Sequence, residues 1–441
     1  MLTASSVLPP QDAQRVLLHN EIHARPQARI RLPALVVYVA VANEGVSREE
    51  ECAHLRQLPG QQDLQIEQLS DNFLRLRLDG YTLKWERHTE FTRYSLVQTL
   101  PEHALLGAKE PDLLSGLVLP SQWLSSIPGR TIAAIKLAML RGDLSDTPST
   151  MASARAWLGE HQQTLASRLG NFGDGIVLSD FAIRPCGFER MLVVCSEATT
   201  EMRVGRISQR LLEMETYRLM ALRGLPAAKL LAPMLAQAER ALADITAQLE
   251  NKSVSDEALL DTLIALAARV ERATAENTYR FAATRAYDSL VHQRIAELRE
   301  AAIPGMQVIG EFLQRRLSPA MATVAACAQR LESLSERVAR TSALLRTRVD
   351  IAAEVHNQKL LEKLTRGQEM QLRLQTTVEG LSIAAISYYV ISLLLYGGKA
   401  LKSAGIQMNP EAAVGALILP VLWIVWKASR RIHKDLHQSL E

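Results

Sequence analysis

Aromatic residues make up only 5% of the sequence, and there are four cysteines in 441 residues. Cys52, Cys186, Cys195 and Cys327 are scattered, and no two of them form a Cys-x-x-Cys pair. That spacing excludes a zinc ribbon, a thioredoxin-type site and a disulfide framework, and it fits a reducing compartment. An excess of charge of one sign is also missing: 50 Lys+Arg against 47 Asp+Glu leave a net charge of +3, so bulk electrostatics gives no reason to expect a nucleic-acid partner. There is no G-x-G-x-x-G, Walker A, H-E-x-x-H or G-x-S-x-G motif. Without a nucleophile or a cofactor-binding loop, the expectation is no enzyme activity and no cofactor. The first residues lack a basic stretch followed by an apolar one, so no signal peptide is expected. At 48% hydrophobic and 22% charged residues the composition is globular, with room for two or three domains.

Long uncharged runs are present near the C-terminus. Nineteen residues without a charge separate Glu379 from Lys399, and fifteen separate Glu411 from Lys427. About 20 apolar residues in a helix cross a bilayer; the second run is short, and the stem of Lys427 extends its reach by snorkelling. Trp423 and Trp426 followed by a basic tail fit an interface. The expectation is a transmembrane helical hairpin over 380–427 with a basic tail over 428–441. Lys363, Arg366 and Arg373 before it, and Lys427, Arg430, Arg431 and Lys434 after it, outnumber Lys399 and Lys402 in the connecting loop. The positive-inside rule therefore places both termini in the cytoplasm.

Residues 1–200 read as a mixed α/β cytoplasmic domain of about seven strands. The apolar run over 31–42 is a buried strand. FLRLRL, Asp79-Gly80 and YTLKWERH form a hairpin through a type I′ turn. Further strands are expected over 91–100, 131–140, 175–184 and 188–196, with an amphipathic helix over 153–170. From 201 to 379 the pattern is helical, a long-helix stalk domain. Pro226 opens one helix, Ser253 or Ser255 caps the next, and Ser318-Pro319 starts a rod that runs into the membrane. Leu317, Val324, Leu331, Val338, Leu345 and Ala352 repeat every seven residues along it, a coiled-coil-like seam that needs partner helices from its own subunit and its neighbours. The fold class is thus α+β.

Several constellations have both a functional and a plainer reading. His19 and His23 lie four apart and could share a metal on one helix face; alternatively Glu21, His23 and Arg25 pin the N-terminal segment by ion pairs. Glu86, His88 and Glu90 alternate on a strand as acid/base candidates or, in the favoured reading, as a solvated face or a charge-paired sheet surface. Arg346, Arg348, Asp350 and Arg373 would ring a vestibule above the membrane or simply pair along their helix. In the first membrane helix Ser382, Ala385, Tyr389, Ser392 and Tyr396 share one face. Such a face is a helix–helix interface or, with Gly397 at its end, a pore lining. No charged residue falls in either run, which removes support from proton-relay mechanisms.

LHNEIHARP (18–26), KWERHTEF (84–91), LLRTRVDIAAEVHNQKLLEKL (344–364) and QLRLQTTVEGLSIAAISYY (371–389), with LMALRGLPAA and YRFAATRAY, resemble the membrane-anchored bacterial proteins of domain-of-unknown-function family 3422. The resemblance implies a place in the bacterial inner membrane and carries no activity. The architecture is also similar to that of CorA-type divalent-cation channels. That likeness implies a homo-pentamer whose first membrane helix lines a pore, with a divalent cation as cargo. Their Gly-Met-Asn signature is replaced here by Tyr396-Gly397-Gly398, while Met408-Asn409-Pro410-Glu411 is similar to the Pro-Glu of their loops. The expectation is a membrane-embedded homo-oligomer that acts as a channel or transporter for an ion the sequence does not specify, the alternative a membrane-anchored scaffold or binding module without transport. The lipid bilayer and further copies of the chain are its partners.

Overall fold

The computed structural model describes residues 12–15, 19, 29–159, 164–171, 173–251, 254–404 and 409–438. They fall into two compact units, residues 1–254 with 261–341 and residues 255–260 with 342–441.

The first unit is built on a mixed sheet. Among the described residues its strands are β1 (Ala34–Ala42), β2 (Phe73–Leu78), β3 (Tyr81–Arg87), β4 (Phe91–Thr99), β5 (Arg130–Arg141), β6 (Leu165–Leu169), β7 (Gly175–Ser179), β8 (Glu189–Cys195) and β9 (Ala301–Ala302). Their order is β2-β3-β4-β1-β5-β8-β7-β6-β9. The β5–β8 pair is parallel; the other neighbours are antiparallel. All seven expected strands form, and two were not expected. β6 falls inside the run taken for a helix over 153–170. Gly159, with φ of 100°, ends the real helix α3 (Thr147–Leu158), and pairing with β7 and β9 draws residues 165–169 into the sheet. Tertiary pairing here overrides local helix propensity. The β2–β3 hairpin joins Leu78 to Tyr81 as expected. Of its two turn residues only Gly80 has a positive φ, 76°, so the turn is not type I′.

Period-two alternation sends successive residues to opposite faces. Leu35, Val37, Val39 and Val41 of β1 join Leu83 and Trp85 of β3 in one core, under α1 (Arg48–Leu55), the short α2 (Ser121–Ser125) and α3. Ala34, Val36, Tyr38 and Ala40 join the opposite core, beneath α4 (Glu201–Leu222). Each fully buried aliphatic side chain contributes about 1.5–3 kcal/mol.

The helical part follows as α5 (Gly224–Asn251), α6 (Asp256–Leu298) and α7 (Ile309–Ser403), then α8 (Pro410–Gln438). Pro226 sits in the first turn of α5, where its missing N–H costs nothing, and Ser255 caps α6 through Ala258 N–H at 3.3 Å. Ser318-Pro319 is not a helix start, because α7 begins nine residues earlier at Ile309 and carries Pro319 in its interior. The reason is tertiary: the hydroxyl of Ser167 accepts from Ile309 N–H at 2.9 Å, and the carboxylate of Glu300 accepts from Gly310 N–H at 2.8 Å. The free N–H groups of the first turn thus find caps outside the helix, one of them 142 residues away in sequence.

The seam of α7 is buried at Leu317, Val324, Leu331 and Val338. Its partners are helices of the same chain. Cys327 Sγ lies 3.5 Å from the carbonyl of Ala228 on α5, and Arg330 pairs with Glu239 at 2.7 Å. Phe281 and Thr284 of α6 line one depression with Val324 and Ala328. In the second unit the seam continues to Leu345, buried, and stops at Ala352, which is exposed.

Three helical stretches, over 201–251, 309–403 and 410–429, are long and apolar enough to cross a membrane. The first was not expected. Its α4 part spends its apolar face under the sheet, with Leu211, Met214 and Met220 fully buried.

Candidate functional site

Within the second unit, α7 and α8 lie side by side. Ser387 of α7 and Val414 and Val421 of α8 are buried there. Gly398 leaves room for the start of α8: a Cβ on it would stand 3.4 Å from that of Pro410. Ser429 donates to Glu379 at 3.4 Å across the other end. Lys427 Nζ sits 4.7 Å from the ring centre of Trp423, a cation–π contact suited to an interface.

The Ser382–Tyr396 stripe points away from this contact. Tyr389 is 68% exposed and Tyr396 70%, and a Cβ on Gly397 would meet nothing. Ser382 donates its hydroxyl to Val378 O of its own helix at 2.9 Å. At about 100° per residue, the line of the stripe runs on toward the N-terminus, through Gln371 and Gly367 as well as apolar positions. Leu360, Leu364, Leu374 and Val378 fall within about 40° of the same line, and all are exposed. Sequence reading missed this continuation, because the residues from 360 to 378 lie among many charges and do not stand out as an apolar run.

The four vestibule residues do not gather on one face. Arg346 and Arg373 are 27 residues apart, about 180° around a helix. Arg348 pairs with Asp256 of α6 at 3.0 Å, while Arg346, Asp350 and Arg373 are exposed. Of the two histidines, His19 is exposed and His23 lies outside the described residues; among those residues no group of three or more ligating side chains could hold a metal.

The first unit contains a polar cleft between β1–β4 and α4, lined by Arg75, Lys84, Glu86, Arg93 and Gln209 among others. Strand register creates it. On β3 Tyr81, Leu83 and Trp85 enter the core under α1–α3, so Thr82, Lys84 and Glu86 face the other way. Across the ladder Lys84 stands opposite Ser95 and Glu86 opposite Arg93. Lys84 lies 3.1 Å from Glu86, and Glu86 also accepts from Arg93 Nε. Arg93 reaches on to Glu213 of α4 at 3.0 Å, which Arg294 of α6 holds at 2.6 Å and Gln209 at 2.8 Å. Burial alone would raise the Glu86 carboxyl, but Arg93 and Lys84 hold it at about 2; burial lowers Lys84. Glu86 is therefore charge-paired, as the favoured reading of this motif has it, but it is buried at 2% exposure and not on a solvated surface. β3 ends at Arg87, so His88 and Glu90 lie beyond it; His88 stacks on Phe91 at 4.5 Å, and Glu90 pairs with Arg280 of α6.

KWERHTEF thus supplies the heart of a buried ion network, and LMALRGLPAA joins α4 to α5. One sequence family accounts for both. The chain belongs to the family described as protein of unknown function (DUF3422), which matches residues 10–436. No curated protein and no solved structure matches it.

This DUF3422 chain holds one further pair that sequence reading passed over. Cys186, in the β7–β8 connection, is exposed, while Cys52, Cys195 and Cys327 are buried. Lys136, 2% exposed on β5, brings Nζ to 3.5 Å from Cys186 Sγ and 4.8 Å from the Phe188 ring centre. Burial pushes the thiol up, but the Phe188 N–H and the Lys136 ammonium outweigh it and hold the thiol below its usual value. Since the thiolate is the nucleophile, Lys136→Met should slow alkylation of Cys186 by iodoacetamide several-fold at pH 7 and move its rate profile to higher pH. An unchanged profile would make the pair a packing contact only.

Proposed function

We propose that the chain is a membrane-embedded homo-oligomer of CorA-like architecture, anchored in the bacterial inner membrane by the α7–α8 hairpin, with both termini cytoplasmic. In this reading the α7 helices of several copies surround a common axis that conducts an ion. The observation that carries it is, on a helix whose residues over 350–378 are all exposed, the line from Leu360 to Tyr396, apolar at most of its positions before Glu379. Its 36 residues extend about 54 Å, well beyond the roughly 30 Å of a hydrocarbon core. Lipid could cover only the part after Glu379. A single partner that covers the whole face must itself pass from water into the bilayer on the same register, as a second copy of α7 does. The composition points the same way. Outside the uncharged run the face is mostly Leu and Val; inside it turns to Ser, Ala and Tyr, the reverse of what a lipid-facing surface requires and suited to a packed polar axis.

A second reading, a membrane-anchored scaffold without transport, is favoured by two details. The runs contain no Asp, Glu, Lys, Arg or His, and Tyr396-Gly397-Gly398 stands where CorA channels have Gly-Met-Asn. Ion flux into liposomes separates the two. The channel reading expects cation flux from the reconstituted protein, a several-fold increase in Tyr389→Ala, where a constricting ring is removed, and no change in Ser387→Ala, whose side chain is buried toward α8. If neither monovalent nor divalent cations pass in any variant, the scaffold remains.

A further inference from the structure

We infer that the cleft between β2–β4 and α4 is a binding site for a small organic anion, one that presents carboxylate or phosphate oxygens. The inference stands on the first unit alone and is independent of how the hairpin assembles.

It starts from what a two-layer α/β packing asks of this sheet face. α4 crosses β5 and β1 and buries Leu211, Met214 and Met220 against that half. On the β2–β4 half the same face carries Arg75, Thr82, Lys84, Glu86, Arg93 and Ser95, where apolar residues would close the layer. A sheet face left polar at this level and still roofed on one side is a cleft by construction, not a core.

The charges in the cleft do not balance. Arg29, Arg75, Lys84 and Arg93 face one carboxylate, Glu86, and that carboxylate is already engaged by Lys84 and Arg93. Glu213 takes up the far side of Arg93. A purely structural ion network would set an acid against Arg75. Instead, among the described residues, the side chains of Arg29 and Arg75 have neither an ion pair nor a hydrogen bond. Three hydroxyls converge beside them in the same condition, Thr82, Ser95 and Ser208. Ser208 is only 3% exposed as a residue and lines the cleft without a hydrogen-bond partner among the described residues. Five donors with no acceptor around one depression ask for a ligand rich in acceptors, and planar guanidinium groups match carboxylate and phosphate oxygens. Ile30, Val97 and Leu212 in the same wall leave space for a carbon skeleton, which favours an organic anion over a bare inorganic one.

The test is calorimetric titration of the full chain in detergent with citrate and with inorganic phosphate as probes, beside flotation on vesicles of anionic lipid. The inference expects saturable citrate binding, with phosphate weaker at the same site. Arg75→Gln should weaken citrate at least tenfold without changing the melting temperature of the unliganded protein, because the Arg75 side chain makes no ion pair or hydrogen bond among the described residues. Ser208→Ala should weaken it by a smaller factor. Arg130→Gln, on an ion pair whose two side chains are largely exposed, should bind like the parent. If neither probe binds, or if citrate binding survives Arg75→Gln unchanged, the inference is wrong. Arg75-dependent binding to anionic vesicles with no binding of either free anion would also overturn it, since the site would then read a lipid headgroup.

Discussion

Arg93→Ala should lower the melting temperature of the full chain on the order of 10 °C. Arg93 is 4% exposed and ties Glu86 on β3 to Glu213 on α4. Its loss leaves two buried carboxylates each short of a partner, and breaking a buried pair this way costs about 3–5 kcal/mol. At about 2–4 °C per kcal/mol for a unit of this size, the shift follows. The pH dependence gives the sign. Glu86 is held at about 2 against an ordinary 4.5, so its pairing stabilises the protein above about pH 4.5 and that contribution fades as pH falls toward 2. The gap between parent and variant should therefore be widest near neutrality and narrow in acid. A variant that melts like the parent at pH 7 would remove the network from the list of what holds β3, β4 and α4 together.

The second large effect is on assembly. Leu374 lies on the Leu360–Tyr396 line of α7, before the uncharged run, and is 63% exposed; Leu372 is 59% exposed and sits about 160° around the helix from it. Leu374→Lys puts one cation per copy at the proposed contact. Like charges brought together there should raise the dissociation constant of the oligomer in mild detergent at least tenfold, read by light scattering. Leu372→Lys carries the same charge and should change it by less than twofold. Equal effects of the two would mean that no single face mediates association.

The parts legible beforehand are those whose signals are local. The β2–β3 hairpin shows in the alternation of FLRLRL and YTLKWER, and the helix after Ser255 in its cap. What was not legible depends on residues far apart in the chain. β6 lies in a run that suits a helix until Gly159 is seen to end one, and α7 starts where Ser167 and Glu300 cap it. The charged alternation around Glu86 was visible as such, whereas its partner Glu213 is 120 residues beyond Arg93, and the free donors Arg75 and Ser208 meet only once α4 lies over the sheet. The heptads of α7 were visible too, but they are filled by α5 and α6, so the weight of the case for further copies moves to the residues from 360 onward.

Cysteine cross-linking along that face tests the central claim most directly. In a Cys186→Ser background the remaining native cysteines are buried. Single cysteines at Leu374, Val378, Ala385 and Ser387 would then be oxidised in native membranes and the products sized. Packing of α7 on its own copies predicts disulfide-linked dimers at Leu374, Val378 and Ala385 and none at Ser387, which α8 covers. Cross-links that are absent throughout, or strongest at Ser387, would contradict it.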